Sequence, residues 1–392
     1  MNRNPRLKNP IDPIEHYRRD IKRQVMITVW VIVAALFVLN FISVIIAVVG
    51  MFLQPDFFSN LAGMTMQDGW YEWDISESSA GLEAVLDGID SNSNLLGLTS
   101  IISVICTLPL FLILRGKKLF RNDIFEIRNK ASVSLILQIF IIAMGAQLIF
   151  GILTTGLDKI LEPLGMDSTS FYIESMDMFK SPLGFMYAML IGPICEEIIF
   201  RGAVMRSLER FGGNFAIIMS SIFFALYHII TVQAIFAFFM GLILGYVAHR
   251  YSMLWSIVIH IMINSVAIIS EMLMPEIALN IFFAGFFVVG LILFIIFLKR
   301  GVIKEQRKRG KPMEVVLADG ASPMIATADI ASLVVNHGAL GDEHNKEIRA
   351  ETVKTYKPKV FRLAFSTVSF LLYFIVMLGA GILLMFNFTT LI

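Results

Sequence analysis

The chain predicts an all-α fold: a polytopic membrane helix bundle of about nine transmembrane helices. Three observations lead there. Hydrophobic residues fill 57% of the 392 positions and charged residues only 16%, with a mean hydropathy of +0.75, more apolar surface than a soluble core requires. Nine apolar segments are long enough for the roughly 20 helical residues that cross about 30 Å of hydrocarbon: near 25–53, 95–114, 131–156, 182–207, 214–232, 233–249, 252–273, 277–298 and 361–386. Basic residues, which resist translocation, alternate from loop to loop.

The first segment follows Arg18, Arg19, Lys22 and Arg23, as a secretory leader would. It is longer than a leader core and no small-x-small site follows Val49–Phe52, so it reads as an uncleaved anchor. Neither end carries a lipidation box. With the N-terminus inside, loops 54–94, 157–181, the turn near Thr231–Gln233, 274–276 and the C-terminal tail fall outside. Of 32 Lys and Arg, only Lys159 and Lys180 lie there, and Arg201 lies within a span. Loop 54–94 holds Asp56, Asp68, Glu72, Asp74, Glu77, Glu83, Asp87 and Asp90 and no base. The expected location is a bacterial cell membrane, with the N-terminus cytoplasmic and the C-terminus outside.

Three regions follow: 1–181, with three spans and the outer loop; 182–273, with four spans on short connections; and 274–392, with two spans around an inner segment, 299–360. Short connections make the middle helices neighbours, so their polar faces can converge. The inner segment opens with Lys299, Arg300, Lys304, Arg307, Lys308, Arg309 and Lys311, a run suited to topological anchoring and to anionic lipid at 299–311. It lacks the interleaved aromatics and surrounding fold of a nucleic-acid module. Cys106 and Cys195 both fall in spans, with no spacing for a disulfide framework or zinc knuckle, and read as packing residues.

Polar residues inside the apolar segments are the functional signal, because each ionisable group there costs about 2.5 kcal/mol or more. Span four reads Gly192-Pro193-Ile194-Cys195-Glu196-Glu197-Ile198-Ile199-Phe200-Arg201-Gly202. Glu197 and Arg201, four apart, can pair on one helix face. Glu196 is turned about 100° away and is expected to lack that partner, leaving a carboxylate able to exchange a proton with water. Pro193 frees a carbonyl one turn earlier, suiting a cavity wall. Phe224 and His228 on span five, and His260 and Asn264 on span seven, are each spaced by four and present paired side chains. His249, beside Arg250 at an inner helix end, reads as a solvated interfacial residue; His16, His337 and His344 fall in inner segments and are assigned no chemistry.

Glu196-Glu197-x-x-x-Arg201, Phe224-x-x-x-His228 and His260-x-x-x-Asn264 resemble, in order and type, the three motifs of the CPBP intramembrane proteases. This is the CAAX-protease-and-bacteriocin-processing or Abi family, whose eukaryotic member is the type II CAAX prenyl endopeptidase. The resemblance covers roughly 182–270. It implies peptide-bond hydrolysis at a polar cavity opening toward the inner face, on a membrane-embedded or membrane-associated peptide or protein. Glu196 and His228 would activate water; His260 and Asn264 would donate to the oxyanion; Glu197 and Arg201 would support the site, with Phe224 packed beside it.

An older interpretation of the family binds zinc through Glu196, His228 and His260. The chain has no His-Glu-x-x-His helix, so metal-free activation with no cofactor is favoured and zinc is the alternative. Ser220 and Ser221 lack the glycine-flanked setting of a serine nucleophile, and no aspartate lies in a span; Gly341-Asp342 reads as a turn. Two readings from other classes stay open. One is a non-catalytic scaffold or bacteriocin-immunity protein on the same fold; the other is a proton-coupled transporter, disfavoured because there is no second, matching polar cluster.

Overall fold

The computed structural model describes residues 13–52, 64–67, 70–73, 93–164, 181–228, 231–309 and 360–385. Helix α1 spans Pro13–Phe52; Pro13 sits in its first turn, where a missing N–H costs nothing. At 1.5 Å per residue it is about 60 Å long, far more than the hydrocarbon thickness. Its basic start therefore projects beyond the apolar run. Within loop 54–94, strands β1 (Met64–Gln67) and β2 (Trp70–Trp73) form an antiparallel hairpin, an addition to the helical expectation. The loop's other residues, and with them most of its acids, lie outside the described residues.

Helix α2 (Ser93–Thr107) tightens into a 3₁₀ turn at Leu108–Phe111, where Pro109 sits, and continues to Arg115. Gly116 ends it in the left-handed region, at φ 63°. Helix α3 (Val133–Leu161) starts on Ser132, whose hydroxyl accepts from the Leu135 N–H. The composite helix α4 runs Pro182–Phe211 and starts on Ser181, which caps Gly184. Gly212, at φ 131°, turns the chain into α5 (Gly213–Tyr227). Helices α6 (Thr231–Arg250), α7 (Met253–Leu273, capped by Ser252), α8 (Glu276–Arg309), α9 (Val360–Phe365) and α10 (Val368–Met385) complete the order.

Among the described residues seven helices are long and apolar enough to cross a membrane. The other two expected spans, 214–232 and 361–386, correspond to the shorter apolar helices Gly213–Tyr227 and Val368–Ala380. Helix α5 stops early because His228 takes its C-cap position. Large apolar side chains face outward along the bundle, including Trp30, Phe37, Leu273 and Ile277. In water such a surface would aggregate; in a bilayer it meets lipid. Helix α8 carries the inner basic run through Arg309, whereas 310–359, with Lys311, His337, Gly341, Asp342 and His344, lie outside the described residues.

The bundle has two apolar cores. One joins α1, α4, α5, α9 and α10 around Ile32, Phe200, Phe223 and Phe370. The other joins α3, α6, α7 and α8 around Phe140, Leu244, Ile259 and Phe283. Helices α3 and α8 pack so closely that a Cβ on Gly145 or Gly290 would lie 3.0 Å from the opposing backbone, the close approach that small residues permit in membranes. The candidate site lies where the cores meet, with α4 from the first and α7 from the second.

Many charged groups gather at one end of the bundle. Arg210 reaches Asp20 on α1 at 3.0 Å, Arg128 forks onto both carboxylate oxygens of Glu209 (2.9 and 2.7 Å), and Arg206 lies 3.2 Å from Glu126. Arg115 pairs with Asp123. His249, expected to be solvated, instead places Nδ1 2.8 Å from Glu209 Oε1 and 3.1 Å from Arg128 Nη1 and closes against Gly213. Residues 116–131 fold back over this end, where the Arg128 N–H reaches the Tyr251 carbonyl and Ile127 bridges Ser252. That return, which sequence adjacency does not reveal, supplies Arg128 as the partner that fixes His249 and Glu209.

Candidate active site

Glu197 is completely buried, and three groups saturate it. Arg201 Nη1 lies 3.1 Å from Oε1, His260 Nδ1–H donates to Oε1 at 3.0 Å, and the Ser256 hydroxyl donates to Oε2. Arg201, also buried, rests its guanidinium 4.4 Å above the Phe224 ring, a cation–π contact beside the pairing with Glu197. Ser256 was not singled out from sequence. Its only signal is that it precedes His260 by four, on the same face of α7.

Glu196 differs from the expectation of a carboxylate without a partner. Its Oε2 lies 3.6 Å from Nε2 of His260, and 17% of its side chain remains exposed. One imidazole thus stands between two consecutive acids, Glu197 at Nδ1 and Glu196 at Nε2. A regular α-helix would turn the two carboxylates about 100° apart. One ring spans them because its two nitrogens face different ways; Glu196 and Glu197 keep α-helical dihedrals, and α4 takes π-helical geometry from Glu197 to Met205, a widening that recurs at functional sites. Because Nδ1 gives its proton to a carboxylate, Nε2 is the acceptor in neutral His260 and a second donor when the ring is protonated.

His228 sits at the end of α5. Its Nδ1 can only donate to the Phe224 carbonyl, 2.8 Å away, so the neutral ring presents an unprotonated Nε2. The Phe224 ring is the hub between the two histidines, with centroids 4.7 Å from His228 and 6.1 Å from His260.

Asn264 donates from Nδ2 to the Ala188 carbonyl at 3.1 Å, a bond that depends on Pro193. Residues Tyr187–Ile191 form another π turn, in which the Gly192 N–H reaches the Tyr187 carbonyl. The next bond in that five-residue register would run from position 193 to Ala188, and proline has no N–H to give. The orphaned carbonyl accepts from Asn264 instead. One Nδ2–H is spent there and the other remains for a ligand.

All seven expected site residues therefore line one region, joined by Ser256 and the Ala188 carbonyl. Ser220 and Ser221 are bonded to the Phe200 and Ile217 carbonyls. Cys195 is buried and Cys106 exposed; both are free thiols. Among the described residues no three His, Cys, Asp or Glu side chains are grouped so as to hold one metal ion.

Such a site, buried between apolar helices, defines a class: a membrane protease similar to the CPBP family that the motifs resemble. Comparison with known proteins agrees. Residues 179–266 match the family model described as type II CAAX prenyl endopeptidase Rce1-like. The chain is also 29% identical over 184 residues to a Bacillus subtilis (strain 168) protein named "Putative membrane peptidase YdiL", covering 45% of this chain and 72% of that protein. No solved structure matches significantly.

Proposed function

We propose that this protein is an intramembrane endopeptidase of the bacterial cell membrane that cleaves a membrane-associated peptide or protein with glutamate-activated water. The observation that carries the reading is the unequal surroundings of two neighbouring acids. Glu197 is sealed, accepting from His260 and Ser256 beside Arg201, while Glu196 is partly open, with His260 Nε2 3.6 Å away. Only the second is free to handle a water.

In the proposed reaction, water hydrogen-bonds to the Glu196 carboxylate and to His228 Nε2, whose orientation the Phe224 carbonyl fixes. As the water oxygen attacks the scissile carbonyl, its proton passes to this pair and the carbonyl π electrons move onto oxygen. Protonated His260, through Nε2–H, and Asn264, through its second Nδ2–H, then donate to the oxyanion. Collapse breaks the C–N bond as the pair returns its proton to the leaving amine. Fixed donors in a dry site are each worth about 3 kcal/mol to such a transition state.

The charged bundle end is assigned to the cytoplasm by its excess of Lys and Arg. Processing or immunity involving a secreted peptide is the physiological role proposed. The test reconstitutes purified protein with a bacterial membrane peptidome, comparing wild type with Glu196→Gln. New peptide termini that appear only with wild type support the reading. Identical peptidomes, with wild type fully folded, contradict it.

A further inference from the structure

The charged bundle end also contains a cavity of about 610 Å³ lined by Glu15, Arg18, Arg19 and Lys22 of α1 and by Arg362, Leu363 and Ser366 at the end of α9. Four cationic side chains from segments more than 300 residues apart thus line one open space, with Glu15 as the one carboxylate among its lining residues. That carboxylate contacts Arg19 only at 3.9 Å, with both side chains largely exposed, so its neutralising effect is small. The concentration of positive charge suits a phosphate-bearing anion.

The surroundings indicate where the phosphate comes from. Lys22, Met26 and Trp30 follow one another at four-residue spacing and share a stripe of α1. Met26 is 42% and Trp30 62% exposed. The stripe runs from the cavity onto the apolar flank and carries a tryptophan, a ring type enriched at membrane boundaries. An acyl chain can lie along it while its headgroup occupies the cavity.

We propose that this cavity binds the phosphate headgroup of an anionic phospholipid of the same leaflet, which bridges the start of α1 to α9. Its lining includes none of the catalytic groups. Each basic contact near a membrane surface contributes about 1 kcal/mol, so removing one is expected to weaken binding about fivefold.

The test is native mass spectrometry of the full chain released from nanodiscs of phosphatidylcholine with or without phosphatidylglycerol. Wild type is expected to retain phosphatidylglycerol, Arg362→Gln to retain it about fivefold more weakly, and Arg18→Gln/Lys22→Gln/Arg362→Gln to lose that lipid. Met26→Ser/Trp30→Ser, with the charges intact, is also expected to weaken retention. A parallel arm titrates inorganic phosphate into detergent-solubilised protein and follows its melting temperature. Equal retention by wild type and the triple variant overturns the proposal. Binding of inorganic phosphate that depends on the same three residues, with no phosphatidylglycerol retained, overturns the lipid assignment.

Discussion

Two clusters in this molecule are built from the same residue types and do different work. At the bundle end, Glu209 is gripped by Arg128 and Arg206 and lies against Nδ1 of His249. Between the two cores, Glu197 is paired with Arg201 and accepts from His260. The first cluster saturates its histidine and acid near the water boundary. The second adds another acid, Glu196, on the far side of the histidine and leaves it partly open. A histidine bonded to an acid therefore says little by itself; the unsaturated group beside it distinguishes a reactive cluster from a latch.

Breaking the buried pair should have the largest effect. Glu197→Gln leaves Arg201 charged and enclosed, which is expected to destabilise the fold by about 3–5 kcal/mol, read as a lower melting temperature and reduced membrane abundance. Next comes Asn264→Ala, which removes a proposed oxyanion donor. Turnover of a cleaved peptide should fall about 10²- to 10³-fold, with little change in the concentration at half-maximal rate.

Pro193→Ala sharpens the comparison at the backbone. It supplies an N–H that competes with Asn264 for the Ala188 carbonyl, and turnover should fall about tenfold, the worth of roughly one hydrogen bond, while melting temperature holds or rises. The smallest effect belongs to the latch. Glu209→Gln weakens charge-assisted bonds at a half-open site, costing about 1–2 kcal/mol of stability, and cleavage per folded molecule should stay at the wild-type level.

Much of this arrangement was legible in the residues. Spacings of four brought Glu197 to Arg201, Phe224 to His228 and His260 to Asn264, and the expense of burying such groups singled them out. What escaped depended on geometry that sequence does not encode locally. Glu196 meets His260 because the ring's two nitrogens face different ways, so that one imidazole spans two carboxylates that diverge around the helix. Pro193 was readable as a freed carbonyl, but the π register makes that carbonyl Ala188 and its new donor Asn264. Ser256 lies 59 residues from the carboxylate it serves, and His249 found its partner Arg128 only because residues 116–131 fold back over the bundle end. The early end of α5 follows from His228 taking the cap, a choice that the continuous apolar run through Ile229–Ile230 concealed.

The central claim is that adjacent acids divide the labour, Glu196 reacting and Glu197 holding. Its most direct test is a cleavage assay in liposomes on Glu196→Gln and Glu197→Gln side by side, with rates normalised to the folded fraction of each. The account predicts that Glu196→Gln melts with wild type yet loses about 10²- to 10⁴-fold in rate, the range for a general base. Glu197→Gln should melt early and retain more activity per folded molecule than Glu196→Gln. A Glu196→Gln protein that still cleaves, beside a stable but inactive Glu197→Gln, would contradict it.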